Sequence, residues 1–215
     1  MRTRAVFVAL LSGIMLHAVI IDRIAIVVGG DKIIKDSDIN RDIRLVSFIN
    51  KQKADFGADA RRTAASRLVD QMLIRREIEV GMYSVPSESD VARTLAGVEK
   101  SRCPTAAQCK KEMADYGLTQ QELKEYLSWQ LTVLRFIDTR FRPAVLVSDE
   151  EIEAYYRQHL AELQKQNPGK PDTLEALHDQ IQQTLTAERI NEQFYSWLKA
   201  RRQAIKVEYR EASLA

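Results

Sequence analysis

Residues 120–141 are the part of the sequence that most constrains the fold. Apolar residues recur there every three or four positions over about six turns, which is the spacing of one continuous helix face. This face comprises Leu123, Leu127, Leu131, Leu134, Ile137 and Phe141. Thr119 and Glu122 form a capping box at the start of the segment, and Pro143 ends it. The pattern predicts a long helix with a strongly apolar side.

The same segment carries a second apolar stripe, offset from the first, made of Trp129, Val133 and Phe136. A helix that is apolar on two faces either lies at the centre of a core or presents one face to something it binds. Both interpretations are open at this point, and the second makes these three residues candidates for a binding surface.

The rest of the chain also predicts helices. Only 8 glycines and 5 prolines occur in 215 residues, which favours long helices over a turn-rich β fold. Helical spacing predicts helices at about 39–53, 59–82 and 105–116, and capping residues predict further helices from about 87, 148 and 172. In the helix at 59–82 the expected inner stripe is Ala65, Leu68 and Met72, and Leu73 and Val80 widen it.

Two segments predict β structure. Residues 24–34 are two β-branched runs around a Gly-Gly-Asp turn, which indicates a hairpin, and residues 205–209 alternate like a strand. Residues 145–147 are expected to be a short extended segment. We therefore predict a mainly α bundle of about six to seven helices with a small β element, in which the N-terminal hairpin pairs with the C-terminal strand.

The first residues have the pattern of a secretory signal. Arg2 and Arg4 precede an apolar run at 5–16, and Ala18 offers a small residue for cleavage, although Leu16 fits the cleavage pattern poorly. We expect a signal peptide at 1–18 and export to the periplasm. Two alternatives stay open: a retained inner-membrane anchor, since the apolar run is near the lower limit for a span, and a buried helix.

Cys103 and Cys109 are the two cysteines of the chain. In an exported protein, two cysteines this close favour a local structural disulfide. Free thiols are the alternative, and a redox-active pair is not indicated because the spacing is not C-x-x-C.

The sequence lacks the usual signs of catalysis. The histidines, His17, His159 and His178, have no partner at metal-ligand spacing, and the acidic run from Asp36 lacks the glycine and glutamate that a calcium loop requires. No nucleophile-elbow, P-loop or dinucleotide-binding motif is present. With 32 basic and 30 acidic residues, the charge balance also does not predict a nucleic-acid partner. We predict no enzyme activity, no cofactor, no metal and no small-molecule substrate.

Several segments, in this order, resemble the N-terminal domain of the SurA family of periplasmic chaperones. The resembling stretches are 23–28, 32–34, 36–39, 68–74, 85–91, 116–119 with the long helix that follows, 180–190, 197–198 and 205–207. The resemblance implies a chaperone domain at 19–163 and a closing helix and strand of the same domain at 173–215.

One departure from the family is large. SurA-like proteins usually carry parvulin prolyl-isomerase domains between these two parts, whereas here a linker at 164–172 takes that place. Because a catalytic domain needs at least about 50 residues, isomerase activity is not expected.

The resemblance implies an ATP-independent chaperone that binds unfolded or extended polypeptides, including outer-membrane proteins. Trp129, Val133 and Phe136 are then the expected client-binding residues. The alternative is a periplasmic or membrane-anchored subunit that binds one folded partner. The third hypothesis is an enzyme, such as a prolyl isomerase. Client identity and oligomeric state are open.

Overall fold

A computed structural model of the chain describes residues 22–166 and 172–214. These residues form seven α-helices, three strands and two 3-10 turns. The strands are β1 (Ile24–Val28), β2 (Lys32–Lys35) and β3 (Val207–Tyr209); the helices are α1 (Asp36–Ile49), α2 (Ala58–Gly81), α3 (Glu88–Arg102), α4 (Ala106–Asp115), α5 (Gln120–Phe141), α6 (Asp149–Gln166) and α7 (Leu174–Ala204); and the 3-10 turns are Arg142–Ala144 and Ala212–Leu214. The architecture is the predicted mainly α bundle with a small β element.

The three strands form one antiparallel sheet in the order β2-β1-β3. Gly29 and Gly30 adopt positive φ angles of 65° and 89° in the turn between β1 and β2, which glycine tolerates without strain. On its other side β1 pairs with β3, with Ile26 opposite Tyr209 and Val28 opposite Val207. The prediction that the N-terminal hairpin pairs with the C-terminal strand is confirmed.

Side-chain caps explain where several helices begin. Ser87, Thr105, Thr119 and Thr173 each accept a hydrogen bond from the backbone N–H three residues ahead. One predicted boundary is wrong, because helix α1 ends at Ile49 and not near residue 53. Residues 145–147 follow the 3-10 turn outside any helix or strand, and Val145 has the extended backbone that was predicted.

Apolar side chains pack in three clusters. The main cluster joins the sheet to α1, α2, the second half of α5 and the second half of α7. A second cluster lies between the end of α1, α4 and the first half of α5, and α3 packs against it. The third cluster belongs to an antiparallel hairpin of α6 and the first half of α7, with Ile152, Leu163, Leu177 and Ile181 at its centre.

Two predicted apolar faces are partly wrong. In α2 the buried residues are Ala64, Ala65, Val69, Leu73, Ile74 and Ile78. Leu68 and Met72 are only half-buried, and Val80 is exposed. In α5, Leu134 is exposed as well. The buried face of α2 differs from the predicted one because α2 packs against α1, the sheet and α7 at once. Its buried surface is therefore wider than a single stripe and is rotated from the predicted position.

The predicted signal peptide at 1–18 and most of the predicted linker at 164–172 lie outside the described residues. Within residues 22–166 and 172–214, none of the helices combines the length and the apolarity that crossing a membrane requires.

Candidate functional site

The predicted second stripe of α5 lies mainly inside the protein. Phe136 is 1% exposed and packs edge-on against Tyr83, with ring centroids 4.9 Å apart, and against Trp197 at 5.5 Å. Val133 is half-buried against the same cluster. Trp129 is 8% exposed. The burial favours the interpretation of this stripe as core, and the three side chains do not form a common open surface.

Trp129 nevertheless borders open space that the other two residues do not reach. A groove of about 550 Å³ lies between the second half of α2, the turn into α3 and the first half of α5. Its apolar lining comprises Ile78, Val85, Pro86, Val91 and Trp129. Val85, on the outer edge, is 68% exposed, whereas Ile78, Val91 and Trp129 are buried and form the floor.

A smaller groove of about 130 Å³ lies between α1, α2 and α5. The two grooves share three lining residues, Arg75, Glu125 and Trp129. We call the two grooves together the Trp129 cleft. Trp129 is the part of the floor that both grooves share, and the walls come from helices whose residues are far apart in the sequence.

Arg75 covers the Trp129 ring. Its guanidinium carbon is 3.9 Å from the ring centroid, which is a close cation–π contact. Partial burial lowers the pKa of Arg75, and the nearby Glu79 carboxylate acts in the opposite direction. Arg75 therefore shields Trp129 from water without filling the groove beside it.

Polar contacts fix the turn that carries Val85. Arg135 of α5 donates one hydrogen bond to the Val85 carbonyl at 2.9 Å and a second to Asp90 at 2.6 Å. Lys124, also on α5, pairs with Glu88 at 2.8 Å. The edge of the groove is thus held against α5 at both ends of the turn, and the groove is preformed.

Asp42, beneath the smaller groove, is a buried carboxylate that is 5% exposed. Burial raises the pKa of Asp42, while Arg67, 2.5 Å away, acts to lower it. Burial also raises the pKa of Tyr126 beside this pair. An ion pair in this position ties α1 to α2 beneath the cleft, and a charged Asp42 depends on Arg67 for its stability.

Cys103 and Cys109 lie within disulfide-bonding distance, with their Cα atoms 5.1 Å apart. Both side chains are buried. The pair connects the end of α3 to the first turn of α4 and lies away from the cleft, which agrees with a structural bridge.

No group of three or more histidine, cysteine or acidic side chains in the described part of the chain is arranged to hold a metal ion. His159 stacks on Tyr155, with ring centroids 4.3 Å apart, and His178 lies between Asp149 and Asp179. Both histidines belong to the α6–α7 hairpin and not to the cleft.

The chain matches no protein-family model and no curated protein sequence. The resemblance to SurA-like chaperones therefore remains a prediction made from the order of motifs. Sequence reasoning found Trp129 but missed Arg75 and Val85, which complete its surroundings. The Val-Pro pair at residues 85–86 was a usable signal, since an apolar side chain beside a helix-ending proline in a predicted turn can serve as a contact surface.

Proposed function

We propose that the protein is an ATP-independent periplasmic chaperone that holds unfolded or extended polypeptides, including outer-membrane proteins, in the Trp129 cleft. The observation that carries this proposal is the open, preformed groove with a floor of Ile78, Val91 and Trp129. Groove-shaped sites with an apolar floor and a polar rim are suited to extended peptide segments.

The dimensions fit such a role. A groove of about 550 Å³ accommodates a few side chains, so a single segment would bind weakly. Unfolded chains offer many such segments, and successive weak contacts retain a client by multivalency. Release then needs no nucleotide, in keeping with a sequence that contains no P-loop motif.

The order of the SurA-like motifs and the signal-like residues 1–18 support the cellular context of this proposal, and a disulfide between Cys103 and Cys109 would suit an exported protein. The region at 164–172, where the resembling family carries its isomerase, is too short for a catalytic domain. The proposed activity is therefore holding and not isomerisation.

Suppression of aggregation tests the proposal. The purified chain, at several-fold molar excess, should reduce light scattering when a urea-unfolded outer-membrane protein is diluted into buffer. Val85→Asn removes an apolar contact from the edge of the groove and should weaken this suppression several-fold. Because Val85 is exposed, the substitution should leave the melting temperature nearly unchanged.

Val80→Asn is the matched control. Val80 is 79% exposed, lies near the end of α2 and is outside the cleft. We expect Val80→Asn to suppress aggregation like the unmodified chain. No suppression by the unmodified chain, or equal suppression by all three proteins, would contradict the assignment of client holding to the cleft.

Binding of one folded partner is the second candidate function. It is favoured by the apolar side chains of Val80 and Met82 at the end of α2, which are both highly exposed and lie outside the cleft. If this candidate is correct, one stoichiometric partner should co-purify with the chain, and Val80→Asn, not Val85→Asn, should release it.

A further inference from the structure

We propose that the Trp129 cleft selects polypeptide segments in which an apolar side chain is flanked by lysine or arginine. This inference rests on the proposed function and names the class of client segment that the site would take. It is derived from the charges that surround the apolar floor.

Carboxylates outnumber cations around the cleft. The lining residues include six carboxylates and three cations: Asp38, Asp42, Glu79, Glu88, Glu122 and Glu125 against Arg41, Arg75 and Lys124. Three of the carboxylates have a cation within ion-pair distance, in the pairs Glu88–Lys124 at 2.8 Å, Asp38–Arg41 at 2.7 Å and Asp42–Arg67 at 2.5 Å.

The remaining carboxylates are Glu79, Glu122 and Glu125. Among the described residues, no cationic nitrogen lies within 4 Å of these three carboxylates, the distance that defines an ion pair. Likewise, no carboxylate of the described residues lies within 4 Å of the Arg75 guanidinium. Arg75 offsets part of the charge of Glu79, its neighbour one turn along α2. Burial acts to raise the pKa of Glu122, but hydrogen bonds from the N–H and hydroxyl of Thr119 and the charges of Arg41 and Arg44 lower it, so its negative charge is already offset. The excess of negative charge in the cleft is therefore centred on Glu125 of α5, with a contribution from Glu79.

The positions of these charges match an extended peptide. Glu125 precedes Trp129 by one turn of α5 and lines both grooves, so its carboxylate lies next to the apolar floor. In an extended segment, residues i and i+2 point the same way about 6.6 Å apart. An apolar side chain over the floor therefore brings a lysine or arginine two positions away within reach of the rim.

The shape of the site strengthens this preference. A concave site with apolar walls concentrates the field of its rim charges, which attracts cationic segments and repels anionic ones. A segment flanked by aspartate or glutamate would meet the unpaired carboxylates of Glu79 and Glu125 and one unpaired cation, Arg75. The same argument disfavours lipid phosphates and nucleic acids as occupants.

Three labelled peptides test the selectivity. The three peptides have the same central segment, in which leucine and phenylalanine alternate with serine. They differ only in the residues on either side of this segment, which are lysine in the first peptide, glutamine in the second and glutamate in the third. Fluorescence anisotropy with the full chain should give binding to the lysine peptide at least about fivefold tighter than to the glutamate peptide at low ionic strength. In about 1 M salt, where the Debye length is about 3 Å, the preference should shrink to less than about twofold.

Charge variants locate the source of the preference. Glu79→Gln/Glu125→Gln should bind the lysine and glutamate peptides almost equally, and Glu79→Lys/Glu125→Lys should reverse the preference. The control is Glu188→Gln/Glu192→Gln, which removes two exposed carboxylates from α7, outside the cleft, and should retain the preference. Thermal melting of each variant verifies that it is folded.

The outcomes separate this inference from the proposed function. The charge selectivity is overturned if the three peptides bind equally or if the glutamate peptide binds more tightly than the lysine peptide. It is also overturned if the lysine preference survives Glu79→Gln/Glu125→Gln. In each of these cases the Val85-dependent holding of clients would still stand. If no peptide binds and no client is held, the proposed function itself fails. If the lysine peptide converts a dimer to a monomer in sedimentation, or if residues 1–21 cross-link to the cleft, the site belongs to this chain's own segments and the inference is overturned.

Discussion

Trp129 and Phe136 are two turns apart on the same side of α5, yet their surroundings differ. Phe136 is enclosed by Tyr83, Phe141 and Trp197. The Trp129 ring instead contacts the guanidinium of Arg75, and a groove opens beside it. One apolar stripe in the sequence therefore has two different environments, because the elements that cover α5 change along its length.

Replacing Phe136 by alanine should show its role in the core. We expect Phe136→Ala to lower the free energy of unfolding by about 3–5 kcal/mol, because it removes a fully buried ring and leaves a cavity. Leu134→Ala, at an exposed position of the same helix, should change it by less than about 0.5 kcal/mol. Urea denaturation followed by circular dichroism measures both. A small effect of Phe136→Ala would mean that the ring is not packed as described.

At the scale of elements, local signals predicted some helices well and others poorly. The bounds of α5 were predicted correctly because its start is fixed locally: Thr119 donates its N–H to Glu122 at 2.8 Å, and Pro143 lies just beyond its end. The buried face of α2 was predicted poorly because three separate neighbours determine it. Local hydrogen bonding is encoded within a few residues, whereas burial depends on packing across the whole fold.

The connection between α3 and α4 gives a prediction at this scale. A bridge between Cys103 and Cys109 closes a ring of about seven residues. In the chain-entropy model such a ring raises the free energy of unfolding by roughly 2 kcal/mol. We expect Cys103→Ala/Cys109→Ala to lower the stability by about this amount and to speed amide exchange in α4 while leaving the sheet protected. Hydrogen exchange with mass spectrometry resolves the two regions. Unchanged exchange in α4 would indicate that the pair does not hold this connection.

The α6–α7 hairpin should be sensitive to pH. Hydrogen bonds to Asp179 and then to Asp149 raise the pKa of His178 above its ordinary value of 6.5. A histidine whose pKa is raised by folding stabilises the hairpin below about pH 6.5, and this stabilisation is lost as the pH rises through the raised value. Amide exchange in the hairpin, corrected for its intrinsic pH dependence, should therefore quicken between pH 6 and pH 8.

His178→Gln should remove this pH dependence, because glutamine carries no titrating charge. His159→Gln, on the same hairpin, is the control and should retain it. A pKa of His178 at or below its ordinary value, measured by NMR, would rule out this account.

At the scale of the whole molecule, long-range contacts join the two ends of the described chain. Arg61 of α2 hydrogen-bonds both Asp36, at the start of α1, and Glu211, beyond β3. Leu214 is buried in the main cluster beside residues of α2. The cleft is likewise a product of long-range packing, since its walls come from α1, α2, α3 and α5. Sequence periodicity predicted the elements, but it contains no information about which helix faces meet.

Leu214 tests how much the C-terminal residues stabilise the fold. Leu214→Ala should lower the free energy of unfolding by about 2–4 kcal/mol, because its side chain completes the main cluster. Leu146→Ala removes the same atoms from an exposed position and should leave the free energy of unfolding almost unchanged. Chemical denaturation of both variants gives the comparison, and equal stabilities would contradict the packing of Leu214.

The pairing of β1 with β3 also has a kinetic consequence. Ile26 and Tyr209 are neighbours in the sheet although about 180 residues separate them along the chain. Closing so long a loop is slow, and β1 has an unpaired edge until β3 has been synthesised. The β1–β2 hairpin and the helices can form earlier, so the sheet should be completed late in folding. During that interval the apolar edge of β1 is open to other chains, so this protein should itself need protection from aggregation while it is being made.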